Sequence, residues 1–256
     1  MPRYFIEVSY KGTLYSGFQV QQNAITIQSE VEKALTIRFR RSFNLTGASR
    51  TDAGVHALQN YFHFDTTDDL FYSNDNSNEE KNLQLALYSL NSILPDDIVI
   101  KRIFKVGNKT HCRFDAISRR YKYYIYSEKN PFYKDTAYFY PYTIDFEQLQ
   151  QAASIILNTE NFTSFSKRNT QVDNFICSIH KSKWQKKNNC IVYDVVANRF
   201  LRGMVRGLVG TMLKVGTGRI SLKEFTEIIK NNNCAKADFS VPPKGLYLIE
   251  IQYNHF

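Results

Sequence analysis

Apolar and polar positions along the first half of the chain predict the order strand, helix, strand, strand, helix, strand. Short apolar runs typical of strands occupy residues 4–8, 44–50, 61–64 and 98–100. Two other segments repeat their apolar residues every three or four positions, as a helix with one buried face does. The first predicted helix begins near Thr26, and the second contains Leu83, Leu87 and Leu90. Between them, the run of Ser, Asn and Asp at 73–78 predicts a polar surface loop.

The second half repeats these features with longer connections. Strands are predicted at 121–126, 176–186, 190–197 and 246–251, the middle two forming a hairpin. Helices are predicted after the capping residues Asp145 and Ser221, and across an apolar stripe that includes Met204 and Met212. At this spacing we interpret both methionines as core residues.

Together these patterns predict an α+β fold made of two similar mixed α/β domains with antiparallel sheets. The domains are expected to meet near residue 105, which gives divisions of 1–104 and 105–256. A chain of this length can bury roughly 75% of its extended surface, enough for one large core or two small domains. The two predicted domains are similar in the order of their strands and helices, but their sequences do not repeat.

The charge of the chain is basic and unevenly distributed. The 33 Lys plus Arg exceed the 24 Asp plus Glu, for a formal net charge of +9. Residues 65–97 hold eight acids and one base, 101–134 hold ten bases and two acids, and 198–219 hold five bases and no acid. Such segregation favours one face that binds a polyanion. Within 101–134 the cations alternate with tyrosines that can stack on bases, which favours nucleic acid over an ordinary solvated surface.

Several other classes of function lack their sequence signals. No apolar run approaches the ~18 residues of a membrane span, and the first residues lack a signal-peptide pattern, so we expect a soluble cytoplasmic protein. The four cysteines are widely spaced, and disulfides are not expected. His111 stands beside Cys112, but adjacent strand side chains point to opposite faces, so no metal site is expected. Walker and Gly-x-Gly-x-x-Gly loops are absent from the sequence.

The segment GASRTDAGVHA at 47–57 carries the most chemical information. It places Asp52 in a turn between two predicted strands, two residues after Arg50 and two before Gly54. A cation near Asp52 favours the ionised carboxylate, which could serve as a nucleophile at neutral pH. An Asx-turn aspartate that only stabilises the loop is the alternative that these residues leave open.

The segment RTDAGVHA at 50–57 resembles the active-site signature of the tRNA pseudouridine synthase A family. Further motifs that resemble the family follow in order along nearly the whole chain: SYKG at 9–12, YSGFQ at 15–19, RFDA at 113–116, SRRYKY at 118–123, NFTSF at 161–165, ANRFL at 197–201, MVR at 204–206, VGTM at 209–212 and GLYL at 245–248. Ordered motifs over this range are far more specific than one short match.

The resemblance implies an enzyme that isomerises uridine to pseudouridine in tRNA, in the anticodon stem-loop at about positions 38–40. It implies that no metal and no small-molecule cofactor are needed. It also implies a homodimer in which one tRNA spans both subunits. The implied pseudouridine synthase fold has two similar α/β domains whose sheets join, with a basic cleft between them.

The resemblance assigns roles to individual residues of this chain. Asp52 is implied as the catalytic carboxylate, Arg206 as its ion-pair partner and Tyr121 as the ring that stacks on the flipped uracil. Leu246 is implied as an apolar wall beside the base, with Leu248 as its competitor. Five arginines are expected to contact the RNA: Arg50, Arg119, Arg120, Arg199 and Arg202. The first of these is also a candidate for flipping the base.

Some alternatives stay open beside the resemblance. Tyr121 could be a core strand tyrosine, and Arg206 could be a structural ion-pair partner. The chain has Ser49, Lys11 and Phe18 where the family usually has Gly, Asp and Trp. These departures concern the contacts that choose the RNA. Another tRNA position, another RNA, or a tRNA-binding protein without catalysis are therefore the alternative functions.

Overall fold

The computed structural model of the protein describes residues 1–66, 71, 79–167 and 173–254. The polar loop predicted at 73–78 lies outside the described residues. The chain forms two compact units. The first unit contains Met1–Ile117 and Glu250–Phe256, and the second contains Ser118–Ile249.

The described part of the first unit contains strands that all pair antiparallel and two α-helices. Its elements are β1 (Arg3–Tyr10), α1 (Ile27–Phe39), β2 (Thr46–Gly47), β3 (His56–Asp65), α2 (Glu79–Ile93) and β4 (Ile98–Val106). Strand β1 lies between β3 and β4, and β2 pairs with β3. Residues 4–8 of β1 are all buried, so this strand is covered on both faces and forms the centre of the core.

Helix α1 begins where the sequence predicts, because its cap is a local feature. The side chain of Thr26 accepts a hydrogen bond from the Ser29 backbone N–H at 3.1 Å, and Ser29 Oγ accepts one from the Thr26 N–H at 2.9 Å. This reciprocal pair is a capping box. The helix ends at Arg40, whose φ of 55° is left-handed.

The strand predictions in the first unit are wrong in length: β1 covers Arg3–Tyr10 where 4–8 is predicted, and β3 covers His56–Asp65 where 61–64 is predicted. The pattern predicts a strand at 44–50, but β2 covers only Thr46–Gly47, and one further backbone bond joins the Ala48 N–H to the Tyr61 carbonyl at 2.8 Å. Further along, the carbonyl of Ser49 accepts a hydrogen bond from the side-chain amide of Asn60 at 2.9 Å instead of continuing the ladder. Strand β4 runs past its predicted end to Val106, so the predicted division after residue 104 falls inside a strand, whereas the compact units divide after Ile117.

The second unit has a mixed sheet covered by helices. Its elements are β5 (Ser118–Tyr126), β6 (Tyr138–Phe139), α3 (Phe146–Leu157), β7 (Ile179–Lys187), β8 (Cys190–Ala197), α4 (Met204–Gly216), α5 (Leu222–Lys230) and β9 (Leu246–Gln252), the last of which ends in the first unit. Strand β8 pairs antiparallel with β5 and β7. The expectation of antiparallel sheets is wrong for β6, which pairs parallel with β5. With two residues, β6 is too short for a periodic signal.

The hairpin of the second unit and the positions of its two predicted caps are confirmed. Asn188 and Asn189, with φ of 47° and 59°, form the two-residue turn between β7 and β8, as a primed turn requires. Ser221 caps α5 in a capping box with Glu224. Asp145 caps α3 through its side chain, which accepts the backbone N–H groups of Glu147 and Gln148. Its own N–H donates to the Gly216 carbonyl at 2.8 Å, so residues 145–148 do not form the reciprocal capping box that their sequence predicts.

Helix α4 is buried on nearly its whole circumference. Met204 and Met212 are fully buried, so both are core residues as predicted. At Gly210, a Cβ atom would lie 2.3 Å from the Asp238 carbonyl oxygen, so the helix packs against that backbone at a distance that only glycine permits. Helix α4 is apolar but has only 13 residues. Within the described ranges, the protein lacks a helix with the length and apolar character to cross a membrane.

Candidate active site

Asp52 lies on the loop between β2 and β3 of the first unit. Along this loop Arg50 is exposed, Thr51 is buried and Asp52 is half-buried. The alternation directs the threonine into the unit and leaves the carboxylate partly accessible to solvent. Both candidate residues of this unit are therefore on a surface where a substrate could meet them.

The backbone of the loop is fixed on both sides of Asp52. The Phe18 N–H donates to the Thr51 carbonyl at 3.1 Å, and the Val55 N–H donates to the Asp52 carbonyl at 3.2 Å. The second bond closes a turn in which Gly54 has φ of 77°, a value that favours glycine. The carboxylate is thus carried by a defined turn.

The turn after β1 packs closely against the end of the same loop. The Gly12 N–H donates to His56 Nδ1 at 3.1 Å. A Cβ atom at Gly12 would lie 2.0 Å from the Val55 carbonyl oxygen, so only glycine allows this approach. The spacing explains why the short motif at 9–12 belongs with the distant motif at 50–57.

Tyr121 lies on β5, in the second unit. Its side chain is 7% exposed and meets the Phe200 ring edge-on, with ring centroids 5.0 Å apart. The neighbouring Tyr123, fully buried, donates its hydroxyl hydrogen to the Pro242 carbonyl at 2.7 Å. Tyr121 is therefore a well-packed ring near the start of β5, with its position set by the strand and by Phe200.

Arg206 is on the first turn of α4 and is half-buried. Its Nε donates to the Val241 carbonyl at 2.8 Å and its Nη2 to the Phe239 carbonyl at 3.3 Å. Two bonds from one planar guanidinium fix the plane of that group. The segment before β9 therefore orients this arginine.

The four other predicted RNA contacts of the second unit differ in their surroundings. Arg120 binds Asp194 with both arms of its guanidinium, at 2.9 and 2.7 Å, and Lys181 binds the same carboxylate at 2.7 Å. Burial alone would raise the pKa of Asp194, but hydrogen bonds and charge from these two cations outweigh it and hold the pKa below its usual value. Arg119 Nη1 donates to the Asn198 carbonyl at 3.0 Å. Arg199 is half-buried and Arg202 is exposed.

Leu246 and Leu248 project from the same face of β9, two residues apart. Leu246 is 7% exposed, and Leu248 is fully buried. A side chain with no accessible surface cannot touch a substrate unless the protein opens. The residue at the beginning of the strand is therefore the better candidate for a wall beside a base.

Comparisons with known proteins decide the family. A family model described as tRNA pseudouridine synthase matches residues 152–254. A tRNA pseudouridine synthase A from Parabacteroides distasonis is 39% identical over 253 residues, which cover 99% of this chain and 96% of that relative. Proteins of the same name from Bacteroides fragilis and Staphylococcus aureus are 40% and 34% identical, covering 98% and 97% of this chain and 96% and 90% of the relatives. The chain belongs to the tRNA pseudouridine synthase A family.

Membership in this family covers almost the entire chain, including both units. The matched family model begins within α3, continues through β9 and does not reach Asp52, whereas the relatives align across the segment that contains it. The structure places Asp52 and Arg50 together on one loop of the first unit. Tyr121, Arg206 and the other predicted residues belong to the second unit.

Sequence reasoning missed the residues that support the Asp52 loop in this family member. Tyr10 OH lies 2.8 Å from Thr51 Oγ1, and Asn60 Nδ2 donates to Tyr10 OH at 3.2 Å. Asn60 is fully buried within β3, beside Tyr61 and Phe62. A buried amide must find partners, but because Gln59 precedes Asn60 and three more polar residues lie in β3, the sequence contains no signal for its burial.

A second cluster of this family member, His63, His111 and Cys112, has the residue types of a metal site. Its possible ligand atoms lie within 4.8 Å of one another. The sequence analysis considered only His111 beside Cys112 and did not predict that His63 lies close to both. His63 Nδ1 lies 3.0 Å from Cys112 Sγ, and His111 Nδ1 accepts the N–H groups of residues 113 and 114. Burial and the positive charge of Arg3 lower the pKa of both imidazoles. The engaged Nδ1 atoms and the neighbouring guanidinium make this cluster unfavourable for a cation.

Proposed function

We propose that the protein isomerises uridine to pseudouridine in the anticodon stem-loop of tRNA, at about positions 38–40, with Asp52 as the catalytic carboxylate. The observation that carries this proposal is the RTDAGVHA motif, which holds Asp52 half-exposed on a loop fixed by backbone hydrogen bonds on both sides. Membership in the tRNA pseudouridine synthase A family supports the reaction and the RNA class.

The reaction exchanges one bond to the ribose for another. The N1–C1′ bond breaks, the uracil rotates, a C5–C1′ bond forms, the C5 proton leaves and N1 gains a proton. The product is an isomer, so no oxidant or further reactant is consumed. The uridine must first leave the base stack, at a cost of a few kcal/mol. Asp52 acts either by attack on C6 or C1′ or by removal of a ribose proton.

The resemblance supports roles for three residues of the second unit. We assign Tyr121 to stacking on the uracil and Leu246 to the apolar wall beside it, since Leu248 is fully buried. We assign Arg206 to pairing with Asp52. Its bonds to the Val241 and Phe239 carbonyls support this role, because they fix the orientation of the guanidinium.

Basic residues supply the proposed contacts to RNA phosphates, because positioning bonds go mainly to phosphates. The proposed contacts are Arg50, Arg119, Arg199 and Arg202, together with Arg120. For the last of these, the bidentate bond to Asp194 gives the side chain a structural role as well. We further propose that the protein acts as a homodimer with a basic cleft and in the cytoplasm, as the sequence predicts.

The Asp52→Asn variant tests the proposal, because it keeps the shape of the side chain and removes the carboxylate. We expect pseudouridine formation in a tRNA transcript to fall by at least roughly 1,000-fold, with tRNA affinity nearly unchanged. The exposed Asp96, also in the first unit, provides the matched control variant Asp96→Asn. Release of tritium from uridine labelled at C5 measures the reaction, and filter binding measures affinity.

Two outcomes would contradict the proposal. Isomerisation retained by Asp52→Asn would remove the carboxylate from the mechanism. Tight, salt-dependent binding by the wild type without any product would instead indicate a tRNA-binding protein. Mapping pseudouridines in tRNA from cells with and without the protein tests the target positions, since loss outside positions 38–40 would identify a different substrate.

A further inference from the structure

A chain of buried hydrogen bonds lies beneath the loop that carries Asp52. Asn60 is fully buried, Tyr10 is 5% exposed and Thr51 is 8% exposed. Asn60 Nδ2 donates to Tyr10 OH at 3.2 Å, and Tyr10 OH lies 2.8 Å from Thr51 Oγ1. These hydrogen bonds therefore connect β3, β1 and Thr51, the residue immediately before Asp52.

The partners of Asn60 fix the orientation of its amide. Its Oδ1 accepts the Tyr61 N–H at 2.9 Å, and its Nδ2 donates to the Ser49 carbonyl at 2.9 Å. A backbone N–H needs an acceptor and a carbonyl needs a donor, so the reverse orientation would leave both unsatisfied. The amide consequently presents an N–H to the Tyr10 hydroxyl, and either hydroxyl of the Tyr10–Thr51 pair can donate to the other.

Thr51 is held through its side chain and its main chain at once. The side chain meets Tyr10, while the carbonyl accepts the Phe18 N–H at 3.1 Å. Since Asn60 also holds the Ser49 carbonyl, one buried amide restrains the loop at two points before Asp52. Without the hydroxyl of Tyr10, the side chain of Thr51 would lose a buried partner and the turn one of its restraints.

We propose that Tyr10 and Asn60 are positioning residues that set the place of the Asp52 carboxylate through Thr51. The proposal rests on the proposed catalytic role of Asp52. Displacement of a reacting group by about 1 Å can cost on the order of 100-fold in rate. The network is buried and does not present a surface to RNA, so its loss acts on kcat and leaves KM for tRNA in place.

The experiment compares two substitutions that each remove one buried tyrosine hydroxyl from the first unit. Tyr10→Phe breaks the network, and Tyr253→Phe is the matched control, since Tyr253 is 6% exposed and donates to the Cys112 carbonyl away from the loop. Thr51→Val removes the other hydroxyl, and Thr51→Ser restores it. We expect kcat to fall roughly 10- to 100-fold in Tyr10→Phe and Thr51→Val, with KM within about twofold of wild type.

The Tyr10→Phe, Thr51→Val double variant separates positioning from general stability. Both substitutions remove the same bond, so the double variant should be about as active as the slower single variant. Thr51→Ser should be close to wild type. Melting temperatures and the stoichiometry of tRNA binding give the folded fraction, so that each kcat refers to folded protein. If Tyr10→Phe does not fold, the comparison of Thr51→Val with Thr51→Ser still tests whether the Thr51 hydroxyl positions Asp52.

Three results would overturn the positioning role: Tyr10→Phe as active as Tyr253→Phe, Thr51→Val as active as Thr51→Ser, or multiplied losses in the double variant. The Asp52→Asn variant, assayed in parallel, tells this failure from failure of the proposed function. An inactive Asp52→Asn beside a fully active Tyr10→Phe contradicts only the network. An active Asp52→Asn contradicts the catalytic role itself.

Discussion

Protonation of His63 should make the protein lose stability in mild acid. Burial, the positive charge of Arg3 and the neighbouring His111 lower the pKa of His63 from 6.5 to about 4. Between these values the unfolded chain binds a proton that the folded protein excludes, so stability falls as pH falls. With 1.36 kcal/mol per pKa unit, the loss between pH 7.5 and pH 5 is about 2 kcal/mol, and it reaches about 3 kcal/mol at pH 4.

The free energy of unfolding in urea, measured from pH 7.5 to pH 5, tests this magnitude before most carboxylates titrate. The His63→Gln variant should be less stable at pH 7.5, because it disturbs the contact with Cys112, but its dependence on pH should be weaker by about 2 kcal/mol. His111 contributes a residual slope in the same direction, since burial lowers its pKa too. The exposed His180 supplies the control variant His180→Gln, which should keep the wild-type slope. Equal slopes for wild type and His63→Gln would refute the reasoning.

Two further substitutions test the packing of each unit. Asp194→Asn should lower the free energy of unfolding by about 2 to 4 kcal/mol, because it leaves two half-buried cations without their carboxylate; a change below about 0.5 kcal/mol in urea unfolding would contradict this. Since the pKa of Asp194 lies below its usual value, its stabilisation should disappear only as pH falls below about 4. Gly12→Ala should cost about 1 to 3 kcal/mol, because the new Cβ would meet the Val55 carbonyl. Gly107→Ala, whose Cβ would meet only Thr110 Oγ1 at 3.2 Å, should melt near the wild-type temperature.

Local features of the fold could be predicted from the sequence. The start of α1 at Thr26, the cap at Ser221 and the turn at Asn188 and Asn189 each depend on residues within a few positions of one another. Strand ends could not be predicted in the same way. Beyond the end of β2, the Ser49 carbonyl accepts a hydrogen bond from the side chain of Asn60 on another strand, a contact that no local pattern contains.

In the candidate site, too, local features could be predicted from the sequence and contacts between distant residues could not. The motif identified Asp52 directly, and resemblance indicated Tyr121 and Arg206. The support of the loop was not predictable, because the bond between Tyr10 and Thr51 joins residues 41 positions apart and that between Asn60 and Tyr10 joins residues 50 apart. Contacts of this kind are set by the pairing of β1 with β3, which fixes neighbours that the order of the sequence separates.

The first unit is completed by the last strand of the chain. The Ile251 N–H donates to Gln59 Oε1 at 2.9 Å, the Ile117 N–H donates to the Gln252 carbonyl at 2.8 Å, and Tyr253 OH donates to the Cys112 carbonyl at 2.5 Å. During synthesis, the loop that carries Asp52 leaves the ribosome nearly two hundred residues before this strand, a separation that appears as the 192 positions between Gln59 and Ile251. The half of the molecule made first is therefore finished last, and a chain interrupted before residue 250 would expose an incomplete core to chaperones and proteases.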